Sequence, residues 1–146
     1  MESLNELLGP CVYLDANVVV YAVGGFPSYA EPIKRLLQAM DEAAIVGVTS
    51  ELPLAEGLAK PKQQANKDLE EAYLRFLKPS SAPRVVPVSR TILVAAAEIR
   101  ATNALKLPAA IHIATASTAG CSTLLTNDRS LQSWTSPPVG LVAALV

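Results

Sequence analysis

The chain has 146 residues, 51% of them hydrophobic and 17% charged, with a formal net charge of −1. This length fits one domain that buries a core without disulfides or a structural metal. No uninterrupted apolar run approaches the roughly 18 to 20 residues of a membrane-spanning helix, so we expect a soluble protein. The net charge gives no global attraction to a polyanion, so nucleic-acid binding would need a local basic patch or a bound cation.

The N-terminal stretch MESLNELLGP is acidic and amphipathic. It lacks the basic n-region and the long apolar h-region of a secretory signal, so we expect a cytoplasmic protein. Cys11 and Cys121 are the only two cysteines, and each lies inside its own apolar, strand-like run. This usage indicates a reducing compartment and two buried core thiols.

Five short runs rich in Val, Ile and Leu alternate with helix-like segments. Near-continuous hydrophobicity in such short runs is typical of a parallel sheet that is covered on both faces. The sequence therefore predicts a three-layer α/β/α fold with a central, mainly parallel sheet, in a single domain over residues 1–146. The predicted strands are 11–15, 44–50, 84–89, 122–128 and 139–146.

The segments between these runs have helical features. Residues 31–43 and 90–105 each place apolar side chains on one face, as a helix that packs on a sheet requires. Residues 60–77 begin as a polar, lysine-containing segment and continue as a helix, and the prolines and serines of 78–84 indicate a loop. The stretch LKLPAAIHIATA, Leu105 to Ala116, opens a further helix just after a proline.

Three carboxylates stand near the ends of predicted strands: Asp15 after the first, Glu56 past the second and Asp128 at the close of the fourth. The carboxyl ends of parallel strands form the crevice where ligands bind, so these side chains can meet there. Clustered carboxylates repel one another and persist chiefly when a hard cation neutralises them. Oxygen ligands suit Mg²⁺ or Mn²⁺, and metal-assisted phosphodiester chemistry is the natural use of such a site.

Each of these acids also has a purely structural interpretation. Asp15 and Asp128 precede helix-like segments and could be N-caps, whose side-chain oxygens accept hydrogen bonds from free backbone amides. Glu56, taken alone, is expected on a solvated helix surface. Other acids are assigned to solvent because they lie on charged helix faces: Asp41, Glu42, Glu70 and Glu71.

Four short motifs, in order, make the chain resemble a PIN-domain protein, in particular the VapC-type ribonuclease toxins of toxin–antitoxin pairs. The first motif is matched by YLDANVVVYA and the second by TSELPLAEGLAKP. The third is matched by LKLPAAIHIATA and the fourth by LLTNDRSL. The resemblance covers nearly the whole chain, and the order and spacing of the motifs make it specific.

The resemblance implies a role for several residues. The first, second and fourth acids of the family fall on Asp15, Glu56 and Asp128. Three residues fall on positions that often support the site: Asn17, Ser50 and Thr126. The third motif usually reads Leu-Pro-Asp-Ala, whereas this chain reads LPAA, so Ala109 occupies the position of the missing aspartate.

The resemblance further implies a metal-dependent endoribonuclease that uses Mg²⁺ or Mn²⁺ and leaves a 3′-hydroxyl and a 5′-phosphate. It implies a homodimer and a cognate antitoxin whose C-terminal segment lies across the active-site groove. With Ala109 in place we expect an impaired enzyme. The change could be natural decay or a deliberate substitution that silences a toxic nuclease, and the intact flanking motifs favour the substitution.

The remaining candidates are a histidine, a tryptophan and several cations. His112, the only histidine, lies three residues after Ala109 and so on the same side of the helix, where we expect it to be packed or hydrogen-bonded. Trp134, the only tryptophan, is expected to pack near the last strand. Cations close in sequence to the acidic motifs are candidates for RNA contact: Lys60, Lys62, Lys106 and Arg129.

Three other interpretations compete with an RNA-cleaving enzyme. A haloacid-dehalogenase-like phosphatase would need a second aspartate where Asn17 stands. A receiver domain would need a phosphorylated aspartate at the end of the third strand, where this chain has VVPVS. The serious rival is a naturally inactive PIN domain that binds RNA or protein, and restoring aspartate at position 109 distinguishes it from the nuclease.

Overall fold

The computed structural model describes residues 2–79 and 82–146, and it centres on a five-stranded sheet. All four strand pairings are parallel, in the order β3-β2-β1-β4-β5. The parallel sheet predicted from the hydrophobic runs is therefore confirmed. The strands are β1 (Cys11–Leu14), β2 (Val46–Ser50), β3 (Arg84–Val86), β4 (Thr123–Thr126) and β5 (Val139–Leu141).

Seven α-helices and three short 3₁₀ turns occur in the described part of the chain. The helices are α1 (Leu4–Leu8), α2 (Ala16–Gly24), α3 (Ala30–Asp41), α4 (Leu52–Gln63), α5 (Lys67–Phe76), α6 (Arg90–Thr102) and α7 (Leu107–Thr118). The 3₁₀ turns are Pro27–Tyr29, Arg129–Leu131 and Val142–Leu145. No helix in residues 2–79 and 82–146 is both long and apolar enough to span a membrane.

The two faces of the sheet carry separate hydrophobic cores. Val12 and Leu14 of β1 pack with residues of α1, α2, α3 and α5. Tyr13, which lies between them and faces the other way, packs with Ile113 and Ala116 of α7. Successive strand residues point to opposite faces, so β1 is buried on both sides. This gives the predicted α/β/α layers.

The structure ends β3 at Val86 and β4 at Thr126, earlier than the predicted residues 89 and 128, and two other segments differ in kind. The helix predicted over 60–77 is two helices, because Ala65 adopts a left-handed backbone (φ 52°) and Asn66 starts α5 by accepting a hydrogen bond from the Leu69 amide. The strand predicted over 139–146 ends at Leu141, and a 3₁₀ turn follows. Ser80 and Ser81, in the loop predicted over 78–84, lie outside the described residues.

The two cysteines, distant in sequence, are neighbours at the amino end of the sheet. Their Sγ atoms lie 3.1 Å apart, and both are free thiols. Burial raises the pKa of the Cys121 thiol well above its ordinary value. Cys121 is buried, whereas Cys11 is only half-buried, so the prediction of a buried thiol is wrong for Cys11.

The strand order creates a crevice at the opposite, carboxyl end of the sheet. From β1 the chain builds outward through β2 and β3 on one side, and β4 then pairs with the other side of β1. The connection after β1 therefore leads toward one edge of the sheet, and the connection after β4 leads toward the other edge. In open α/β sheets this switch point, outside the carboxyl ends of the strands, is where ligands bind.

Candidate active site at the carboxyl edge of the sheet

The three acids predicted to form a site line one cavity at the switch point. The cavity has a volume of about 300 Å³, and Asp15, Glu56 and Asp128 all line it. The remaining lining residues are Ala16, Asn17, Lys106, Pro108, Ala109 and His112. The three acids therefore converge, and Ala109 stands in the same wall.

Asp15 is buried and held by hydrogen bonds on both oxygens. It follows β1 and caps α2, since Oδ1 accepts the Ala16 amide at 2.9 Å. The hydroxyl of Thr126, at the end of β4, donates to Oδ2 at 2.6 Å. The carboxylate is thus fixed at the point where β1 and β4 separate.

Two of the three predicted supporting residues form a network behind Asp15. The Asn17 amide donates to the Thr126 hydroxyl oxygen at 3.1 Å, and its own oxygen accepts the Asn127 backbone amide. Thr126 also accepts the backbone amide of Asp128 at 3.0 Å. Ser50 is different: it is buried at the end of β2, accepts the Leu52 amide, and is not among the residues that line the cavity.

His112 joins two of the acids, a role that sequence analysis did not assign to it. Its Nε2 lies 2.8 Å from Oε1 of Glu56 and 3.4 Å from Oδ1 of Asp15. Its Nδ1 lies 2.6 Å from the hydroxyl of Tyr13, in the middle of β1. The ring is fully buried on α7, so it connects the core strand to the cavity.

The phenol of Tyr13 determines which ring nitrogen of His112 carries hydrogen. Burial, more than any neighbouring group, raises the pKa of Tyr13 far above its ordinary value. The phenol therefore keeps its proton, and it donates to Nδ1 when the ring is neutral. In the neutral ring the hydrogen then sits on Nε2, which donates to the Glu56 carboxylate.

Asp128 lines the cavity but is anchored outside it. Its Oδ1 accepts the backbone amide of Ser130 at 3.0 Å and the Ser130 hydroxyl at 2.7 Å, so it caps the 3₁₀ turn Arg129–Leu131. Asp15 caps a helix in the same way. The capping interpretation of both residues is confirmed, and it coexists with their position in the cavity.

Ala109 is the third residue of α7 and half-buried. The first turn of this helix contains no acidic residue, and Lys106 at its start provides no side-chain cap. An aspartate there would favour the positive end of the helix dipole, by about 0.3–1 kcal/mol. Ala109 has only a methyl group, so it provides no carboxylate at this end of the helix.

Comparison with known proteins places the fold and the sequence motifs in one family. The PIN domain family matches residues 12–134, most of the chain. The chain belongs to the PIN domain family. A comparison with curated proteins finds no match.

Solved structures share the fold of this PIN domain at low sequence identity. One is "VapBC2 from Rickettsia felis bound to a DNA fragment from their promoter", with a TM-score of 0.66, 17% identity, and coverage of 90% of this chain and 98% of that chain. Another is a "Toxin-antitoxin complex from Klebsiella pneumoniae", with a TM-score of 0.61, 19% identity, and coverage of 90% of this chain and 97% of that chain. A third is "FitAcB from Neisseria gonorrhoeae", with a TM-score of 0.59, 21% identity, and coverage of 89% of this chain and 95% of that chain.

The four cations predicted near this site occupy different surroundings. Lys106 lines the cavity. Lys62 instead pairs with Glu70 at 2.8 Å, and this pairing holds the pKa of the Glu70 carboxyl below its usual range. Glu70 is buried, so its assignment to solvent is wrong. Lys60 and Arg129 are exposed and are not among the lining residues.

The donor chemistry of the cavity suits a hard divalent cation, because Asp15, Glu56 and Asp128 supply only oxygen. The oxygens are not gathered around one point. Within residues 2–79 and 82–146, no three His, Cys, Asp or Glu side chains are grouped closely enough to hold a metal ion. Glu56 faces the His112 ring, and position 109 contributes no ligand.

Proposed function

We propose that this PIN domain is a metal-dependent endoribonuclease toxin of a toxin–antitoxin pair, in a form impaired by Ala109. The observation that carries the proposal is the shared cavity of Asp15, Glu56, Asp128 and Ala109 at the switch point of the sheet. Family membership supports nuclease chemistry. Three acids and one alanine line the same cavity, at the positions where the family has four acids, which supports the loss of one metal ligand.

The role proposed for each residue follows from its contacts. Asp15, fixed by Thr126, and Glu56, oriented by His112, would hold Mg²⁺ or Mn²⁺ together with Asp128. When bound, the cation lowers the pKa of a water and stabilises charge on the phosphodiester. Lys106, at the rim, would contact a phosphate. Lys60 and Arg129 do not line the cavity, so they would contact RNA only outside it.

The proposal extends to partners. One of the similar solved structures is a toxin–antitoxin complex, and VapBC2 from Rickettsia felis is bound to a DNA fragment from its promoter. We therefore propose a cognate antitoxin for this chain, a homodimeric toxin, and action in the cytoplasm. Asn17, Ser50 and Thr126 are proposed to support the acids, with Ser50 acting from the end of β2 rather than from the cavity wall.

The test is to restore the missing ligand. Ala109→Asp should cleave a mixed structured-RNA pool with Mg²⁺ or Mn²⁺, and EDTA should stop it. The rate should exceed that of the unchanged chain by about 10²–10⁴, the usual value of a group that positions a catalytic metal. Ala44→Asp is the matched control. It adds the same charge at an exposed position just before β2, at the amino end of the strand and not at the carboxyl end where the cavity lies. Cleavage by both variants, or by neither, contradicts the proposal.

A second candidate is a naturally inactive PIN domain that binds RNA or protein. The specific observation in its favour is the imidazole of His112 between Glu56 and Asp15, which satisfies these acids without a metal. This candidate predicts that Ala109→Asp binds RNA as the unchanged chain does and still cleaves none.

A further inference from the structure

A groove leads away from the acid cavity along the start of α7. A space of about 390 Å³ shares Lys106, Ala109 and Asp128 with that cavity and continues past Leu105 to Ser130. We call this space and its two extensions the side groove. One extension reaches Arg100 on α6, and the other reaches Trp134. Both extensions adjoin the central space at Ala104 and Leu105, and the central space adjoins the acid cavity at the three residues that they share.

The side groove carries positive charge that the protein does not neutralise. Arg100 and Lys106 both line it, and neither forms an ion pair with a carboxylate in residues 2–79 and 82–146. The Arg100 Nε donates to the Leu105 carbonyl at 3.2 Å, which holds the guanidinium against the groove wall. Asp128 is the acidic residue among the lining residues, and it lies where the groove meets the acid cavity.

The far end of the side groove offers an aromatic surface. Trp134 is half-buried, and its Nε1 donates to the Ser136 carbonyl at 3.0 Å, which fixes the ring. The ring packs on the core beside α7 and still lines the groove. An aromatic ring and unpaired cations along one groove are the usual surface for single-stranded nucleic acid, because bases stack on the ring while cations follow the phosphates.

We propose that the side groove binds the single-stranded RNA that flanks the scissile phosphate. Lys106 and Arg100 contact backbone phosphates, and Trp134 stacks on an unpaired base. This inference rests on the proposed function, since it extends the same site. RNA is favoured over a polypeptide because Lys106 lines both the side groove and the cavity of the three acids proposed to cleave RNA. A single strand is favoured over a duplex, whose bases are already stacked and unavailable to Trp134.

The sole tryptophan makes the groove directly observable. The unchanged chain, in EDTA so that no RNA is cut, is titrated with a short oligouridylate while Trp134 fluorescence and the anisotropy of a labelled strand are recorded. We expect quenching of Trp134 in step with binding, and weaker binding of a matched RNA duplex. Lys106→Gln and Arg100→Gln should each weaken binding about three- to tenfold and reduce the slope of log K against log salt by about 0.7.

Two further variants separate charge from structure. Arg100→Lys keeps the charge and should preserve the salt slope. Lys34→Gln removes an exposed cation on α3, on the other face of the sheet, and should bind as the unchanged chain does. If the oligouridylate binds without affecting Trp134, and Lys106→Gln matches Lys34→Gln, the inference is wrong.

Two other outcomes also overturn the inference. In the first, the chain binds no RNA. In the second, Trp134 fluorescence responds to an acidic decapeptide and not to RNA, and Lys106→Gln weakens that response, which would make the side groove a polypeptide site. These failures are distinct from failure of the proposed function. Cleavage by Ala109→Asp tests the acid cavity and does not depend on Trp134 fluorescence.

Discussion

Nε2 of His112 lies 2.8 Å from Oε1 of Glu56, while Nδ1 of the same ring lies 2.6 Å from the hydroxyl of Tyr13. These bonds link β1, α7 and α4 across the carboxyl edge of the sheet. Glu56 itself is exposed on α4, and its bond to the buried ring of His112 gives its carboxylate a defined position. The orientation of this acid is therefore set from within the core.

Replacing Tyr13 by Phe tests that link, because the change keeps the ring and removes the bond to Nδ1. We expect the free energy of unfolding in urea to fall by about 1–3 kcal/mol, the cost of leaving a buried polar nitrogen without its partner. Tyr73→Phe is the control, since the Tyr73 hydroxyl has no hydrogen-bond partner in the described part of the chain. Equal effects of the two changes would show that the Tyr13–His112 bond contributes nothing.

Thr126 is the second support, and two variants separate its hydroxyl from its shape. Thr126→Val keeps the volume but leaves Asp15, Asn17 and the Asp128 amide without their shared partner. It should lower the free energy of unfolding by about 1–3 kcal/mol. Thr126→Ser keeps the hydroxyl and should cost about 1 kcal/mol for the buried methyl group. A valine variant more stable than the serine variant would contradict this account.

The Lys62–Glu70 pair predicts a pH dependence of stability. The pairing lowers the pKa of Glu70 in the folded protein below the value of 4.5 that applies without it. The pair therefore stabilises the fold above pH 4.5, and this contribution is lost as the pH falls through the lowered pKa.

The Tm of Glu70→Gln should accordingly lie below that of the unchanged chain at pH 7, and the gap should narrow below about pH 4.5. Thermal denaturation followed by circular dichroism measures this. The exposed neighbour Glu71 provides the control, because Glu71→Gln should give a small difference in Tm across the same range. A gap for Glu70→Gln that stays constant with pH would exclude the pair as its cause.

Much of the fold could be predicted because the buried parallel strands have a strong local signal. Runs such as CVYL are apolar on both faces, and only a sheet covered by two helical layers accommodates them. The last strand was predicted too long because VGLVAALV is uniformly apolar, and an edge strand pairs on one side only. The residues after Leu141 make tertiary hydrogen bonds instead, to Asn127 from the Ala143 amide and from Arg35 to the Leu145 carbonyl.

The site was predictable where its residues follow strands, and not where they depend on distant partners. Asp15 and Asp128 could be placed because parallel strands align their carboxyl ends. The connection from Tyr13 through His112 to Glu56 spans 99 and 56 residues of sequence, so no local pattern reveals it. The same holds for Lys62, whose partner Glu70 lies on the next helix, beyond a turn that the apolar pattern did not show.

We propose that an aspartate at position 109 would complete a cation site with Asp15, Glu56 and Asp128, and calorimetric titration with Mg²⁺ and Mn²⁺ tests this claim without relying on activity. Ala109→Asp should bind one of these cations at least about tenfold more tightly than the unchanged chain, a difference of about 1.4 kcal/mol. The exposed control Ala44→Asp should bind as the unchanged chain does. Equal affinities for all three proteins, with Ala109→Asp correctly folded, would contradict the claim.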